Sequence, residues 1–284
     1  MHSLPFFLHA LSPVHVGVGQ AIGVVDLPIQ REKATHLPYV PGSGLKGVLR
    51  DEFKDPAIQK TLFGPDRINE NDKAHAGALA FGDAHLLILP VRSLVGVVAF
   101  ATSPFLLSRY AQAARRGEVV VDVPSIDLPV KEEEGWVTKD CSLSLNNQVV
   151  LEDADVSVME CEAAQNWAVH LAERLHEKEF RPHFTRRFII VSDSVLSYLA
   201  DTGTDVRARV RIDDARQTVE QGALWYEENL PAESVLFGLV GLDIARDGTN
   251  LNVEQTFRAT MGSEKLVQVG GKATIGRGLV RFIL

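Results

Sequence analysis

A single carboxylate in an otherwise apolar stretch is the first feature of this sequence that could do chemistry. Asp26 interrupts the run IGVVDLPI, and the polar cluster QREK follows it at residues 30–33. His15 lies upstream of Asp26, and three glycines separate the two residues. A carboxylate there could hold a divalent ion or orient a proton transfer. It could equally form a turn with its own backbone or a salt bridge, and the residues alone leave these alternatives open.

A second group of candidate residues lies on a helix that the apolar spacing predicts at residues 44–54, with Ser43 as its N-cap. Lys46, Arg50 and Lys54 are four residues apart and therefore form one basic stripe. Because the N–H groups at a helix start are free and carry the positive end of the helix dipole, we expect a phosphate there. The competing interpretation is an amphipathic helix with a solvated basic face. The sequence GSGLKG also matches a dinucleotide-binding pattern, but no parallel βαβ unit surrounds it.

The third group lies near the C-terminal end, in the segment VGGKATIGRG. This segment contains four glycines and two cations, namely Gly270, Gly271, Gly276, Gly278, Lys272 and Arg277. Glycines let the backbone pass close to a ligand, although a tight hairpin would also use them for its turn geometry. The segment is not a Walker loop, because Ala273 follows the lysine where Ser or Thr is required. Two glycine-plus-cation segments at opposite ends of the chain favour a polyanion over a mononucleotide.

Composition restricts the class of protein. The chain has 284 residues, of which 45% are hydrophobic and 23% charged, which is typical of a globular protein with one core. The net charge of -8 argues against a nucleic-acid binder unless the cations are clustered. No apolar run reaches membrane-spanning length, and the first residues lack the pattern of a signal peptide. Two cysteines, Cys141 and Cys161, make no disulfide framework or zinc site, so a reducing cytoplasm is expected.

The order of apolar patterns and turn formers predicts an α+β fold with a mostly antiparallel sheet, a few helices and a long extended insertion near residues 118–158. Strands are predicted at residues 4–11, 78–89, 94–101, 206–212, 224–226 and 234–244, and on both sides of the C-terminal glycine-rich segment. Helices are predicted at residues 104–117 and 163–177, and a strand followed by a helix at residues 187–200.

These motifs together resemble the RAMP superfamily of CRISPR proteins. The phrase VDLPIQRE, the downstream GSGLKGVLR and the C-terminal GGKATIGRGLVRF are similar to the backbone subunits of the type III-B (Cmr) RNA-targeting effector complex. The stretch LWYEENLPAESVLFG at residues 224–238 is also similar to these subunits. The specific motifs cover about the first 50 residues, this stretch and the last 15 residues, while the middle of the chain is matched only by the order of its elements.

The resemblance implies a ferredoxin-like core related to the RNA-recognition fold, built as one domain over residues 1–284. The insertion near residues 118–158 would be a β-hairpin thumb that reaches a neighbouring copy. The implied partners are the guide CRISPR RNA (crRNA), a target RNA, further copies of the chain in a helical filament and other Cmr subunits, but no membrane. The RNA-binding residues would be Ser43, Lys46, Arg50, Gly270, Gly271, Lys272, Gly276, Arg277 and Gly278.

The resemblance also implies a metal-dependent endoribonuclease that cuts target RNA at regular intervals. The family's catalytic aspartate matches Asp26, and His15 and Glu227 match further positions of the site. The reaction would be attack by the target's own 2′-OH on the adjacent phosphate, leaving a cyclic phosphate. Asp26 would bind Mg²⁺ or Mn²⁺ or act as the base. Because one carboxylate is a weak metal site and Mg²⁺ usually borrows phosphate oxygens, little metal is expected without RNA.

Two other functions remain as alternatives. A scaffold without catalytic activity would coat the crRNA with the same glycines and basic helix, but it would not need Asp26. A stand-alone RAMP ribonuclease that trims precursor crRNA would share the C-terminal glycines. That class usually lacks the phrase VDLPIQRE and tends to use histidine, for which His15 is the candidate.

Overall fold

The computed structural model describes residues 2–20, 23–65, 75–116, 122–213 and 218–284. Its strands are β1 (His2–Ala10), β2 (Tyr39–Val40), β3 (Leu79–Phe81), β4 (Ala84–Ser93), β5 (Val97–Thr102), β6 (Glu134–Val137), β7 (Gln148–Leu151), β8 (Ala154–Glu160), β9 (Phe188–Val191), β10 (Asp205–Asp213), β11 (Thr218–Asn229), β12 (Val235–Leu242), β13 (Glu264–Gln268) and β14 (Leu279–Ile283). Its α-helices are α1 (Gly42–Arg50), α2 (Pro56–Phe63), α3 (Pro104–Arg116), α4 (Glu162–Leu175), α5 (Arg181–Thr185), α6 (Asp193–Thr202) and α7 (Val253–Met261), and Ala273–Ile275 forms a short 3-10 helix.

One large sheet organises the fold. Twelve of the described strands join it, in the order β13-β14-β1-β12-β4-β5-β9-β6-β8-β7, with β2 beside β4 and β3 beside β12. The pairs β5–β9 and β6–β8 are parallel, and the other pairs are antiparallel. Strands β10 and β11 form a separate two-stranded sheet. The predicted α+β class with a mostly antiparallel sheet is therefore confirmed.

Strand β1 lies at the centre of the core and is buried on both faces. Phe6 and Leu8 point into a hydrophobic cluster that includes α1 and α7, whereas Phe7 points into a second cluster that includes α3 and α4. β1 pairs with the last strand, β14, and the Phe6 ring stacks on Phe282 with 4.9 Å between centroids. Because Ala10 pairs with Val280, the segment that precedes β14 emerges beside the end of β1.

Helix α1 differs from the prediction at both ends. It begins at Gly42 and ends at Arg50, and the N-cap position belongs to Pro41, which has no capping side chain. The prediction of Ser43 as N-cap was therefore wrong. The physical reason is that Asp83, from the turn between β3 and β4, accepts the Gly42 N–H through Oδ1 at 2.8 Å. A distant carboxylate thus replaces the local hydroxyl expected at the helix start.

Other elements agree with the prediction in type more than in extent. The strand predicted at residues 78–89 is divided into β3 and β4, and the one predicted at residues 224–226 is part of the longer β11. Helix α3 begins at Pro104 as predicted, while α2, α5 and α7 were not predicted. None of the described helices combines the length and apolarity needed to cross a membrane.

The thumb-like insertion near residues 118–158 stays a prediction. Residues 117–121 lie outside the described part of the chain. Of the strands that follow, β6 and β8 hydrogen-bond with each other, β6 also pairs with β9, and β7 pairs with β8 and β4. The hairpin that is separate from the large sheet is β10–β11, and residues 214–217 between its strands also lie outside the described residues.

Leu45 tests how strongly packing fixes α1 on the sheet. Its side chain is fully buried, so Leu45→Ala removes apolar contacts and leaves a cavity. We expect the free energy of unfolding to fall by about 2–5 kcal/mol, measured by urea denaturation. Leu94→Ala is the control, because Leu94 is 70% exposed and its truncation should change stability by less than about 0.5 kcal/mol. Equal losses in the two variants would contradict this placement of α1.

Candidate functional site

Asp26 lies on an irregular segment that runs alongside strand β11. The Leu27 N–H donates to the Tyr226 carbonyl at 3.0 Å, and the Leu27 carbonyl accepts from the Glu228 N–H at 3.0 Å. Asp26 Oδ2 accepts the Tyr226 N–H at 2.7 Å. The aspartate is partly exposed, and its Oδ1 accepts no hydrogen bond from the described residues. One carboxylate oxygen is therefore held by the protein while the other is available to a ligand.

His15 lies where the N-terminal segment meets the C-terminal glycines. The residue is 7% exposed, and its Nδ1 donates to the Glu228 carbonyl at 2.7 Å. In the neutral ring this leaves Nε2 as the acceptor nitrogen. A Cβ at Gly17 would lie 2.7 Å from Nε2, so the imidazole fits only because position 17 has no side chain. The Gly271 N–H also donates to the His15 carbonyl at 2.9 Å.

Backbone geometry explains two of the C-terminal glycines. Gly270 and Gly278 have φ angles of 79° and 78°, in the left-handed region that favours glycine. A Cβ would lie 2.4 Å from the His15 carbonyl oxygen at Gly270, and 2.1 Å from the Val269 carbonyl oxygen at Gly278. These glycines serve the turn and its close approach to His15, as the hairpin interpretation proposed. They also bring Lys272, at the start of the 3-10 helix, into the same neighbourhood.

Glu227 connects three parts of this neighbourhood. The residue is 2% exposed, and its Oε1 accepts from Lys272 Nζ and Trp225 Nε1, each at 2.9 Å. Its Oε2 accepts from Arg209 Nε at 3.3 Å. Burial alone would raise the pKa of Glu227, but the hydrogen bonds from Trp225 and Lys272 outweigh burial and lower the pKa to about 2. The carboxylate is therefore ionised at neutral pH and ties β10, β11 and the glycine segment together.

Arg277 is a buried cation that forms no ion pair with the described residues. The residue is 6% exposed, and its Nε has no hydrogen-bond partner among the described residues. Burial lowers the pKa of Arg277, and the positive charges of Arg207 and Arg209 lower it further. The nearby acids are already engaged, since Asp205 binds Arg207 and Glu227 binds Arg209. Because an uncompensated buried charge is unfavourable, this place suits an anion from outside the chain.

The start of α1 forms a separate groove. Ser43 is exposed and Lys46 is partly exposed, and both line a cavity of about 640 Å³ beside Gly64. Arg50 Nη1 donates to the Gly64 carbonyl at 2.9 Å, and Lys54 Nζ donates to a carbonyl of its own turn at 2.7 Å. The basic stripe therefore includes two cations that already bind backbone oxygens, while Lys46 is the stripe residue that faces the groove.

The structure thus brings His15, Asp26, Glu227 and Lys272 together, and it places the α1 residues in another groove. Gly276 caps the 3-10 helix with a φ angle of 76°. Local sequence patterns do not reveal the ion pair between Arg31 and Glu228, in which Arg31 Nη2 donates to Glu228 Oε1 at 2.7 Å. Both residues stand in charged clusters, QREK and YEEN, but their separation of 197 positions hides the pairing from local pattern reading.

The described residues supply little for a metal ion on their own. They contain no group of three or more His, Cys, Asp or Glu side chains that could hold one. Glu227 accepts hydrogen bonds at both of its oxygens, as does Glu228. Among the acids of this neighbourhood, Asp26 keeps an oxygen that no described residue engages. One carboxylate fits Mg²⁺ or Mn²⁺ only where phosphate oxygens complete the coordination.

Comparisons with known proteins show the family to which this chain belongs. The family model of the RAMP superfamily matches residues 7–281. A protein from Pyrococcus furiosus named CRISPR system Cmr endoribonuclease Cmr4 is 33% identical over 98% of this chain and 94% of its own length. A crystal structure of oligomeric Cmr4 from the same organism has a TM-score of 0.75 at 26% identity, covering 100% and 97% of the two chains. A chain of the type III-B Cmr-beta complex bound to cognate target RNA has a TM-score of 0.76 at 22% identity with the same coverage, which shows the fold alone.

The contacts of Glu227 predict a pH-dependent stability. Its pKa is lowered from 4.5 to about 2, so its contribution is present above pH 4.5 and is lost as the pH falls toward 2. We expect Glu227→Gln to lower the free energy of unfolding by roughly 3 kcal/mol at pH 7, with the difference from the unsubstituted protein shrinking below about pH 4. Urea denaturation across this pH range measures it, with the exposed Glu133→Gln as control. A difference that does not change with pH would contradict the contacts.

Proposed function

The chain belongs to the RAMP superfamily and, within it, to the Cmr4 subunits of type III-B CRISPR complexes, and we propose that it is an RNA-guided endoribonuclease subunit. It binds crRNA and cuts the complementary target RNA. The observation that carries the proposal is the partly exposed carboxylate of Asp26, which accepts the Tyr226 N–H next to Glu227, the residue that Lys272 and Arg209 contact. The name of the Pyrococcus relative, an endoribonuclease, supports cutting rather than binding alone.

RNA binding follows from the distribution of cations on an acidic chain. A phosphate that reaches Arg277 supplies an acceptor for a guanidinium whose Nε has no partner within the described part of the chain. Lys46 and Ser43 supply contacts in a second groove, and two separate cationic places suit a polymer of phosphates. The proposed RNA-binding set consists of Ser43, Lys46, Arg50, Gly270, Gly271, Lys272, Gly276, Arg277 and Gly278.

Asp26 is the proposed catalytic residue. The target's 2′ oxygen bonds to the adjacent phosphorus while the bond from phosphorus to the 5′ oxygen breaks, which leaves a cyclic phosphate and a 5′ oxygen that takes a proton from water to become the 5′-OH. The 2′-OH loses its proton in this step, and the unengaged oxygen of Asp26 is suited to accept it. In the alternative role of Asp26, the same oxygen would instead hold a Mg²⁺ or Mn²⁺ ion together with RNA phosphates, and the ion would supply charge stabilisation. His15, with Nε2 as an acceptor, is the second proposed proton-transfer group.

Glu227 suits a different task from proton transfer. A carboxylate that accepts three hydrogen bonds and has a pKa near 2 is a poor base at neutral pH. We therefore propose that Glu227 contributes to catalysis by orienting Lys272 and Arg209 toward the RNA.

The finer features of the family complete the proposal. They are a ferredoxin-like core, a thumb near residues 118–158, a helical filament of copies along one crRNA with other Cmr subunits, and a cytoplasmic location. The crystal structure of oligomeric Cmr4 from the relative supports self-association.

A scaffold without catalytic activity is the alternative. The unengaged oxygen of Asp26 favours the nuclease, because coating a guide does not require that carboxylate.

Asp26→Asn tests the proposed chemistry. The amide oxygen of Asn can still accept the Tyr226 N–H, so assembly with crRNA and the other subunits should be unchanged. We expect target cleavage to fall about 10²–10⁴-fold, measured with labelled complementary RNA and the reconstituted complex. Asp153→Asn, in the turn between β7 and β8, is the control. Undiminished cutting would eliminate Asp26 as the catalyst and favour another residue, whereas lost assembly would assign Asp26 a structural role.

Arg277→Gln separates RNA binding from folding. Removal of a buried charge that pairs with none of the residues described should raise the free energy of unfolding of the RNA-free chain. The same change should weaken crRNA binding and reduce the slope of log affinity against log salt by about 0.7. Urea denaturation and binding titrations at several salt concentrations measure the two effects. The exposed Arg92→Gln is the control. Unchanged crRNA binding would take Arg277 out of the RNA site.

A further inference from the structure

Glu228 is a buried carboxylate for which the proposed chemistry has no use. Its side chain is 7% exposed. Its Oε1 accepts from Arg31 Nη2 at 2.7 Å, and its Oε2 accepts the Ile29 N–H at 3.0 Å. One carboxylate therefore holds the segment that follows Asp26 at two points, one on the backbone and one on a side chain.

The main chain of Glu228 contacts both proposed proton-transfer elements. Its N–H donates to the Leu27 carbonyl at 3.0 Å, next to Asp26 in the chain. Its carbonyl accepts from His15 Nδ1 at 2.7 Å, which sets the tautomer and direction of the imidazole. A shift of Glu228 would consequently move both Asp26 and His15.

Arg31 holds the Glu228 carboxylate from outside the site. Its side chain is 12% exposed, and its guanidinium also donates to the His36 carbonyl at 2.9 Å and the Ala200 carbonyl at 3.0 Å. A further contact joins Arg31 Nη1 to Asp201 Oδ1 at 3.2 Å, at the end of α6. A cation with this many acceptors has a defined position, so it gives the Glu228 carboxylate a defined position too.

Asp26 and Leu27 are bonded to β11, and the Pro28 carbonyl accepts the Val18 N–H, but no apolar burial holds the segment before Ile29. Residues 23–28 form no helix or regular strand, and Val24 is 94% exposed. The first buried residue after Asp26 is Ile29, which is 5% exposed, and its N–H is the group that Glu228 accepts. The carboxylate thus acts at the point where the segment enters the core.

We propose that Glu228 is a positioning residue for RNA cleavage, and this inference rests on the proposed endoribonuclease function. Its carboxylate, held by Arg31, fixes Ile29 and so the direction in which Asp26 meets the scissile phosphate. Glu228 acts through Asp26 and His15 and does not itself exchange a proton with the RNA.

Glu228→Gln is the first test. The amide keeps the size of the side chain, but one of its two acceptor oxygens becomes an NH₂ group, so it cannot accept from both Arg31 and Ile29. We expect the maximal cleavage rate to fall about 10–100-fold, because small displacements of a reacting group are costly. Target affinity, crRNA binding and assembly should stay within about twofold. Single-turnover cleavage by the reconstituted complex over a range of target concentrations separates rate from affinity.

Arg31 provides an independent variant should Glu228→Gln fail to fold. Arg31→Met removes the same contact from the other side, and Arg31→Lys keeps a cation that can reach Glu228. We expect Arg31→Lys to retain more of the maximal rate than Arg31→Met. The double variant of Glu228→Gln with Arg31→Met should lose no more than the worse single variant, because both act through one contact. Glu264→Gln, which removes an ion pair with Arg281 between β13 and β14, is the matched control.

The outcomes separate this inference from the function on which it rests. If Glu228→Gln and Arg31→Met leave the maximal rate unchanged while Asp26→Asn abolishes cleavage, the positioning role is overturned and the nuclease stands. If they weaken assembly or target affinity and not the rate, Glu228 is merely structural and the inference is again overturned. If the unsubstituted complex cuts no target RNA, the proposed function itself is wrong.

Discussion

The antiparallel pairing of β1 with β14 is the constraint on which the rest of the site depends. β1 is buried on both faces, so its position is fixed by apolar packing of Phe6, Phe7 and Leu8. The last strand lies beside it in antiparallel register, so the segment that follows β1 and the segment that precedes β14 emerge at the same end of these two strands. The His15 segment and the C-terminal glycines meet there because β1 and β14, which are far apart in the sequence, are hydrogen-bonded to each other. Short connections from these strands are therefore enough to bring the two segments together.

Where these two segments meet, the position and burial of the charged residues matter more than the net charge of the chain. The chain is acidic overall, yet Lys272, Arg209 and Arg277 lie around the single carboxylate of Glu227. Two of these cations bind Glu227, and Arg277 stays unpaired among the described residues. A buried cation without a partner lowers the free energy of unfolding of the RNA-free protein. Such a cation is stabilised more by a bound anion than a cation that is already paired. An acidic protein can therefore bind a phosphate backbone locally while its remaining surface repels it.

At the start of helix α1, the observed contacts differ from those that the sequence pattern predicts. Sequence favoured a phosphate at the N–H groups before Lys46 and a hydroxyl cap from Ser43. In the structure Asp83 satisfies the Gly42 N–H, and Arg50 binds a backbone carbonyl. The positive end of the helix is thus partly neutralised by a residue of the turn between β3 and β4. Lys46 remains as the side chain that keeps the groove cationic.

The sequence by itself determined the α+β class, the main strands and helices, and the short list of residue types that could do chemistry, because these are encoded locally in apolar period, turn formers and motif spacing. It could not determine that Glu228 pairs with Arg31, that Glu227 is tied to Lys272, or that Asp83 caps α1. Those contacts join residues from 41 to 197 positions apart. Only the tertiary structure decided them, since side-chain pairing depends on which strands become neighbours, and the packing of the whole core selects that order.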